Sequence, residues 1–436
     1  MKLIVAILII LLTITSCEQK RSSVELHAKF LHDSMQKLTD IMVYDIFSPP
    51  VSSRIYAYPS IAAYEVMAQA DSSYTSLSGQ LKQFEGIPKP QEEIDYEVAA
   101  IQAFINVGRS LIYSEEKFAE FQKDFLMKIR KKGLDETVLK NSLDHARTVK
   151  EVVLAWADMD NYKQTRTYQK FEITDEMDRW QPTPPGYFEG IEPHWSKIRT
   201  FVIDSADQFG PEPPTIFDMS EESLFYKEVM EVYDVGKNLN DEQSQIASFW
   251  DCNPFVLNVR GHTMFATKKI TPGGHWIGIA KIACEIDSAS LMKSAATYAL
   301  TSIAIADAFI SCWDEKYRSN LVRPETVINM YIDPGWLPLL QTPPFPEYTS
   351  GHSVISGAAG VALSSIYGEP FPFDDDSELI YGLPIRSFES FTTASDEAAI
   401  SRLYGGIHYM PAIENGVDQG RKLGRYLVSK IGLKKK

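Results

Sequence analysis

Ser288-Ala-Ser-Leu-Met-Lys-Ser-Ala-Ala-Thr-Tyr-Ala-Leu-Thr-Ser-Ile-Ala-Ile-Ala-Asp-Ala-Phe-Ile-Ser-Cys312 is the stretch on which the fold turns. Ala295, Ala299, Ile303 and Ala306 recur in it at helical spacing. Its length and apolarity suit a membrane span. Asp307 interrupts the apolar run, however, and Lys293, Asp314, Glu315 and Lys316 flank it closely. The stretch therefore predicts a buried core helix of a large helical protein.

Outward from there, helical periodicity dominates and strand signals are scarce. Residues 25–46 place Leu26, Phe30, Leu31, Met35, Leu38, Ile41 and Met42 on one stripe, which Pro49-Pro50 breaks. Further helices are expected over 53–70, 92–113 and 139–156, with charged helices filling 115–159, and again from Ser220 onward. His352–Tyr367 reads as a second small-residue helix, too short to span a membrane comfortably. Between 160 and 220 the character changes to Trp180-Gln-Pro-Thr-Pro-Pro-Gly, Glu192-Pro-His-Trp and Gly210-Pro-Glu-Pro-Pro. So much proline with aromatics predicts an extended, ordered wrap or lid. The fold class is all-α: helical bundles with one long Pro/aromatic-rich insertion. The expected organisation is a signal segment 1–16, a tether 17–24, an N-terminal helical region 25–159, the insertion 160–220 and a C-terminal helical region 221–436.

A chain of 436 residues at 44% hydrophobic can bury a large core. The net charge of −15 argues against non-specific nucleic-acid binding. At the N-terminus, Lys2, the apolar run Leu3–Leu12 and Ile14-Thr-Ser-Cys17 resemble a bacterial lipobox, which implies acylation of Cys17. Such a protein sits in the cell envelope by its lipid anchor only. Beyond Cys17 there remain Cys252, Cys284 and Cys312, an odd number that excludes a disulfide framework. Cys312 reads as a buried thiol, and the absence of a CxxC pair argues against structural zinc.

The chemistry gathers in three short motifs: Lys316-x6-Arg323-Pro324, Ser350-Gly351-His352, and Ser401-Arg402-x5-His408. Ser350 and Gly351 follow Pro344-Phe-Pro-Glu-Tyr-Thr and open a helix, where free backbone N–H groups and the dipole favour an anion. Lys316 and Arg323 are spaced at about two helical turns, so one helix face is expected to carry both, with Pro324 ending that helix. Arginine supplies forked recognition of oxyanions and lysine a point charge. Gly405-Gly406 allows close backbone approach beside His408. Singly, each motif has a bland explanation as a cap, a solvated face or a core histidine. In this order they describe a pocket for a tetrahedral or trigonal-bipyramidal oxyanion.

These motifs resemble the signature of the superfamily that joins vanadium-dependent haloperoxidases and type 2 phosphatidic acid phosphatases. Ser53-Arg-Ile-Tyr-Ala-Tyr, Trp180-Gln-Pro-Thr-Pro-Pro and Pro193-His-Trp resemble its bacterial haloperoxidase-like branch, so the likeness extends over nearly all of the chain after Cys17. It implies vanadate as cofactor, with His408 as the ligand to vanadium. Lys316, Arg323, Ser350, Gly351 and Arg402 would hold the oxygens, His352 would serve as acid–base group, and Lys316 would polarise bound peroxide. Trp313 and Phe345 look like the wall of a halide pocket. Many members carry aspartate four residues after the last histidine. Here that position is Ala412, so Glu414, a backbone carbonyl or another residue is expected to orient His408.

Two reactions fit the same residues. As a haloperoxidase the protein would take hydrogen peroxide, halide and an organic acceptor. As a soluble phosphatase it would take a phosphate ester without any cofactor, His408 forming a phosphohistidine and His352 protonating the leaving oxygen. The lack of several membrane spans and the aromatic pair favour the haloperoxidase. A binding module on this fold is a third reading, disfavoured by the presence of both histidines and all three cations. The resemblance admits a homo-oligomer, although no residue pattern argues for one. Of the remaining histidines, His275 is expected near the pocket or packed on Trp276, and His194 within the insertion. His27, His32 and His145 read as surface residues, and His262 is undecided. Asp251 is a candidate for the buried carboxylate that holds Arg402.

Overall fold

The structure is a computed structural model that describes residues 21–260, 263–266 and 268–435. The signal segment with Cys17, and His262, lie outside the described residues. Six helices come first: α1 (Lys29–Asp45), α2 (Pro49–Ala70), α3 (Tyr96–Arg109), α4 (Glu115–Lys131), α5 (Glu136–Asp158) and the short α6 (Tyr162–Thr165). The second half holds α7 (Leu224–Lys237), α8 (Asp241–Phe249), α9 (Pro272–Ile286), α10 (Leu291–Ser319), α11 (Pro324–Tyr331), α12 (Gly351–Tyr367), α13 (Phe391–Tyr404) and α14 (Met410–Lys430). Two antiparallel hairpins interrupt them: β1 (Leu257–Arg260) with β2 (Thr263–Ala266), and β3 (Phe373–Asp375) with β4 (Arg386–Phe388). Fourteen helices and two short hairpins make the described chain the all-α protein that its periodicity predicts.

The apolar stretch around Asp307 is the central helix α10, which packs against α2, α9 and α12. It is long and apolar enough to cross a membrane, yet its most apolar 18-residue window is 100% buried in protein. Asp307 is itself 0% exposed and accepts the backbone N–H groups of Phe201, Val202 and Ile203 at 2.6, 2.8 and 3.1 Å. The polar residue that breaks the hydropathy pattern therefore clamps the end of the Pro/aromatic insertion onto the core.

That insertion is ordered but almost free of regular structure. Trp180 and Trp195 are buried, the Trp180 N–H donates to the Asn320 carbonyl at 2.9 Å, and Ile191 O accepts from Trp313 Nε1 and from the Tyr317 hydroxyl at 3.0 and 2.6 Å. It thus lies across the C-terminal end of α10. His194 belongs to its packing, bonded to the Gln169 carbonyl and edge-on to Tyr168.

Two helix boundaries differ from expectation. Pro49-Pro50 does not merely end α1; the pair opens α2, where proline's missing N–H costs nothing and its fixed φ suits the first turn. Pro324 likewise opens α11 and does not end the helix that bears Lys316. α10 stops at Ser319, with Asn320 left-handed at φ 47°, and Arg323 sits extended as the cap of α11. Lys316 and Arg323 therefore do not share a helix face. The turn between them swings the arginine round to the same pocket.

Two histidines expected at the surface are buried. His32 is 4% exposed and shares a 2.7 Å hydrogen bond with the Tyr298 hydroxyl of α10, and His145 of α5 is 7% exposed. Their helices read as polar because each carries a solvated face, but these side chains lie on the packed one. His27 is exposed as expected.

The pocket rests on the pairing of α12 with α14. A Cβ on Gly420 would lie 2.1 Å from the Val354 carbonyl oxygen, so only glycine lets the two helices approach this closely. That contact fixes Ser350 and Gly351, at the start of α12, beside His408, just ahead of α14.

Candidate oxyanion-binding active site

Five segments deliver the site. α10 supplies Trp313 and Lys316 from its last turns, and the turn into α11 supplies Arg323. The Pro344–Thr349 loop leads into Ser350, Gly351 and His352 at the N-terminus of α12. Arg402 comes from the last turn of α13 and His408 from the loop into α14. The structure brings all these residues together. His352, His408, Gly351, Trp313 and Phe345 line one cavity, along with Phe255, Phe309 and several prolines.

The cations are buried: Lys316 and Arg323 are 0% exposed and Arg402 is 1%. Lys316 Nζ donates to the carbonyls of Pro346, Glu347 and Thr349 at 3.0, 3.0 and 2.6 Å. Arg323 Nε donates to Phe345 O at 2.9 Å, and its Nη1 donates to Ile407 O at 2.8 Å and His408 Nε2 at 3.1 Å. Arg402 Nη1 donates to Trp250 O at 2.5 Å and to His352 Nε2 at 3.1 Å. The cations are thus held by neutral acceptors, which keeps their charge available to a ligand.

Two guanidinium N–H groups, Arg323 Nη2 and Arg402 Nε, are buried without any partner among the described residues. An orphaned buried donor on a cation is costly, so its presence marks a place for an acceptor. Ser350 caps α12, its oxygen accepting from Ser353 N at 3.3 Å. A Cβ on Gly351 would point at Trp313 and Lys316, 3.9 and 4.0 Å away, and take up cavity space. These observations fit an oxyanion such as vanadate or phosphate, for which Arg323, Arg402, Ser350 and Gly351 offer donors, Lys316 a buried positive charge and His408 a nitrogen.

The carboxylate that holds His408 is Glu347, a residue the sequence reading did not single out. Its Oε1 lies 2.8 Å from His408 Nδ1 and accepts the Tyr409 N–H at 3.0 Å. Glu414, the nearest acidic residue in sequence, is exposed on α14. With Nδ1–H donating to Glu347 and Arg323 donating to Nε2, the network assigns a neutral imidazole whose Nε2 lone pair faces the cation cluster. A signal for Glu347 was present: an acidic residue between Pro346 and the Ser350 cap is out of place in an anion-binding loop unless it serves a neighbouring base.

Electrostatics agree. Burial, then the fields of Arg323, Lys316 and Arg402, hold the pKa of His408 well below the ordinary histidine value. His352 is lowered in the same direction by burial and by Arg402. Burial pushes Lys316 down to about 7 and Arg323 to about 10, and raises Glu347 to about 7.

Asp251 makes no direct bond to Arg402, although its charge favours the guanidinium. It bonds Lys269 Nζ at 2.5 Å, and Arg402 leans on the Trp250 carbonyl instead. His275 does not line the cavity. It stacks on Trp250, with ring centroids 4.4 Å apart, more closely than on any expected partner, and it bonds Asp375 Oδ2 at 2.8 Å and Cys252 Sγ at 3.4 Å. Cys252, Cys284 and Cys312 are all free buried thiols.

A helical scaffold presenting two neutral imidazoles inside a cage of buried cations defines a protein built to grip an oxyanion. Comparison with known proteins gives the class a family. Residues 296–432 match the family model of the VCPO second helical-bundle domain. A bacterial vanadium-dependent iodoperoxidase is 51% identical, aligned over 95% of this chain and 99% of its own, with a TM-score of 0.90. A bacterial vanadium-dependent chloroperoxidase shares the fold at 17% identity, over 88% of this chain and 93% of its own, with a TM-score of 0.69 for the holo form. Its apo form gives 15% identity over 88% and 94%, at a TM-score of 0.66. No curated protein matches the sequence. The chain belongs to the vanadium-dependent haloperoxidase family.

Proposed function

We propose that this protein is a vanadate-dependent haloperoxidase that oxidises iodide with hydrogen peroxide. The observation that carries the reading is the pair of orphaned guanidinium donors, Arg323 Nη2 and Arg402 Nε, beside the neutral His408. When bound, vanadate supplies a Lewis-acid centre that activates peroxide toward halide without a change in its own oxidation state. His408 offers Nε2 as the ligand atom, and Glu347 fixes its ring and tautomer. Lys316, Arg323 and Arg402 neutralise oxyanion charge in a dry site, where such charges act most strongly. Ser350 and the backbone N–H of Gly351 add donors at a helix N-terminus. His352, held neutral, takes up or returns the proton exchanged with peroxide and water. Trp313 and Phe345, with centroids 5.0 Å apart, give the halide a polarisable wall.

Support for iodide comes from the 51% identical relative, which is described as an iodoperoxidase. The test uses the full chain in detergent, stripped of metal and assayed with peroxide, a phenol acceptor, and iodide, bromide or chloride in turn. Iodination that requires vanadate and exceeds bromination is expected. Equal rates with chloride would remove the halide assignment. Hydrolysis of p-nitrophenyl phosphate by the stripped protein, blocked by vanadate and without iodination, would make it a phosphatase.

We further propose that Cys17 carries a lipid anchor that holds the enzyme in a bacterial cell envelope. Metabolic labelling with an alkyne fatty acid is expected to mark the wild type and not Cys17→Ala. Equal labelling of both would refute the anchor.

A further inference from the structure

Behind the cavity wall lies a second buried cluster. Cys252, from the loop after α8, His275, from the first turns of α9, and Glu378, just past β3, are 1%, 0% and 2% exposed. Cys252 Sγ, a nitrogen of His275 and a carboxylate oxygen of Glu378 all lie within 4.8 Å of one another. Cys252 also lines the oxyanion cavity. We propose that Cys252, His275 and Glu378 form a zinc site, with Asp375 orienting the histidine.

Two of the three ligand–ligand distances match the edges of a tetrahedron. Cys252 Sγ to His275 Nδ1 is 3.4 Å, and His275 Nδ1 to Glu378 Oε1 is 3.3 Å. Ligand bonds of about 2.3 Å for sulfur and about 2.05 Å for nitrogen and oxygen give tetrahedral edges of about 3.6 and about 3.3 Å. The orientation fits as well. His275 Nε2 faces Asp375 Oδ2 at 2.8 Å, so Nε2–H donates there and Nδ1 is directed between Cys252 and Glu378. A carboxylate behind a ligating imidazole is the usual partner arrangement at zinc. Asp375 is fixed in turn by the N–H and hydroxyl of Ser377, at 3.0 and 2.5 Å, and the imidazole by its stack on Trp250.

Two further observations point to a cation. Glu378 Oε1 is buried with no hydrogen-bond partner among the described residues, although it sits 3.3 Å from an imidazole nitrogen. A thiolate and a carboxylate together bring two negative charges, which one divalent ion neutralises in a place where net charge is expensive. The sulfur, nitrogen and oxygen set favours zinc over the hard cations, and three protein ligands leave a fourth position for water or an anion. On binding, Cys252 loses its thiol proton to solvent and His275 gives up any proton on Nδ1. The ion would tie together three chain segments next to Trp250, whose ring stacks on His275 and whose carbonyl holds Arg402.

Metal content of the full chain in detergent tests this, with a readout separate from halogenation. Protein stripped with a chelator and dialysed against zinc(II) is expected to retain one zinc per chain. Cys252→Ser and Glu378→Gln should each bind at least about a hundredfold more weakly, whereas Cys284→Ser should bind as the wild type does. Cobalt(II) loaded into the wild type should give a tetrahedral d–d spectrum with a thiolate charge-transfer band that Cys252→Ser lacks. Wild-type protein that takes up no zinc, or cobalt without a thiolate band, would overturn the proposal, even if a variant fails to fold.

Discussion

Two buried histidines in this molecule have a carboxylate at the same distance and opposite charge preferences. His408 lies 2.8 Å from Glu347, and His275 lies 2.8 Å from Asp375. Around His408, burial and three cations depress the pKa and keep the ring neutral. Around His275, burial pulls the same way, but Asp375 and Cys252 outweigh it and raise the pKa well above the ordinary value. Their carboxylates differ too: burial raises Glu347 to about 7, whereas Asp375, despite burial, is held low by His275. A carboxylate–imidazole contact therefore does not by itself set protonation; the balance of burial and all neighbouring charges does. One side of the cavity wall is arranged for an anion and the other for a cation.

Removing each partner should sharpen that contrast. The largest effect is expected for His408→Ala, which should lower vanadate-dependent iodination by more than about 10³-fold in steady-state assays, since it removes the proposed ligand atom. Retained activity would move the ligand elsewhere. Arg402→Ala should weaken vanadate binding by about 10²-fold in equilibrium dialysis, because a buried charge-assisted contact is lost. Glu347→Gln should cost about 10- to 100-fold in vanadate affinity, the range for a partner behind a metal-bound histidine. Asp375→Asn should leave that affinity within about twofold while destabilising the fold by about 3 kcal/mol in denaturant titrations, as breaking a buried pair does. Similar losses of vanadate affinity in both carboxylate variants would erase the distinction between the two histidines.

A graded effect concerns pH. Burial holds Lys316 near 7, so above that pH it is increasingly neutral, whereas a bound oxyanion favours its charged form. Binding then takes up a proton, and vanadate affinity should fall by up to about tenfold per pH unit above 7. Affinity that rises with pH, measured by the same dialysis, would contradict the sign.

The sequence carried the fold class because α10 and α12 announce themselves by composition and period, and the three motifs are contiguous enough to be read directly. What it did not carry depends on turns and on long-range contact. Arg323 reaches the pocket through the left-handed Asn320 and an extended residue, a path that helical spacing cannot reveal. Glu347 meets His408 from 61 positions away, so neither Ala412 nor the nearby Glu414 gave guidance. Asp251 is sequence-adjacent to Trp250, whose backbone carbonyl does the work first sought from a carboxylate. Backbone acceptors leave no mark in side-chain chemistry. The buried His32 and His145 show the same limit, since a polar helix has a packed face as well.

The most direct test is nitrogen NMR of full-length, metal-stripped protein labelled at histidine, recorded at pH 7 before and after vanadate. His408 should begin as a neutral ring protonated at Nδ1, and its Nε2 resonance alone should shift strongly when one equivalent is added. A His408 that starts as imidazolium, or whose Nε2 signal is unmoved at saturating vanadate, would contradict the assignment of this pocket.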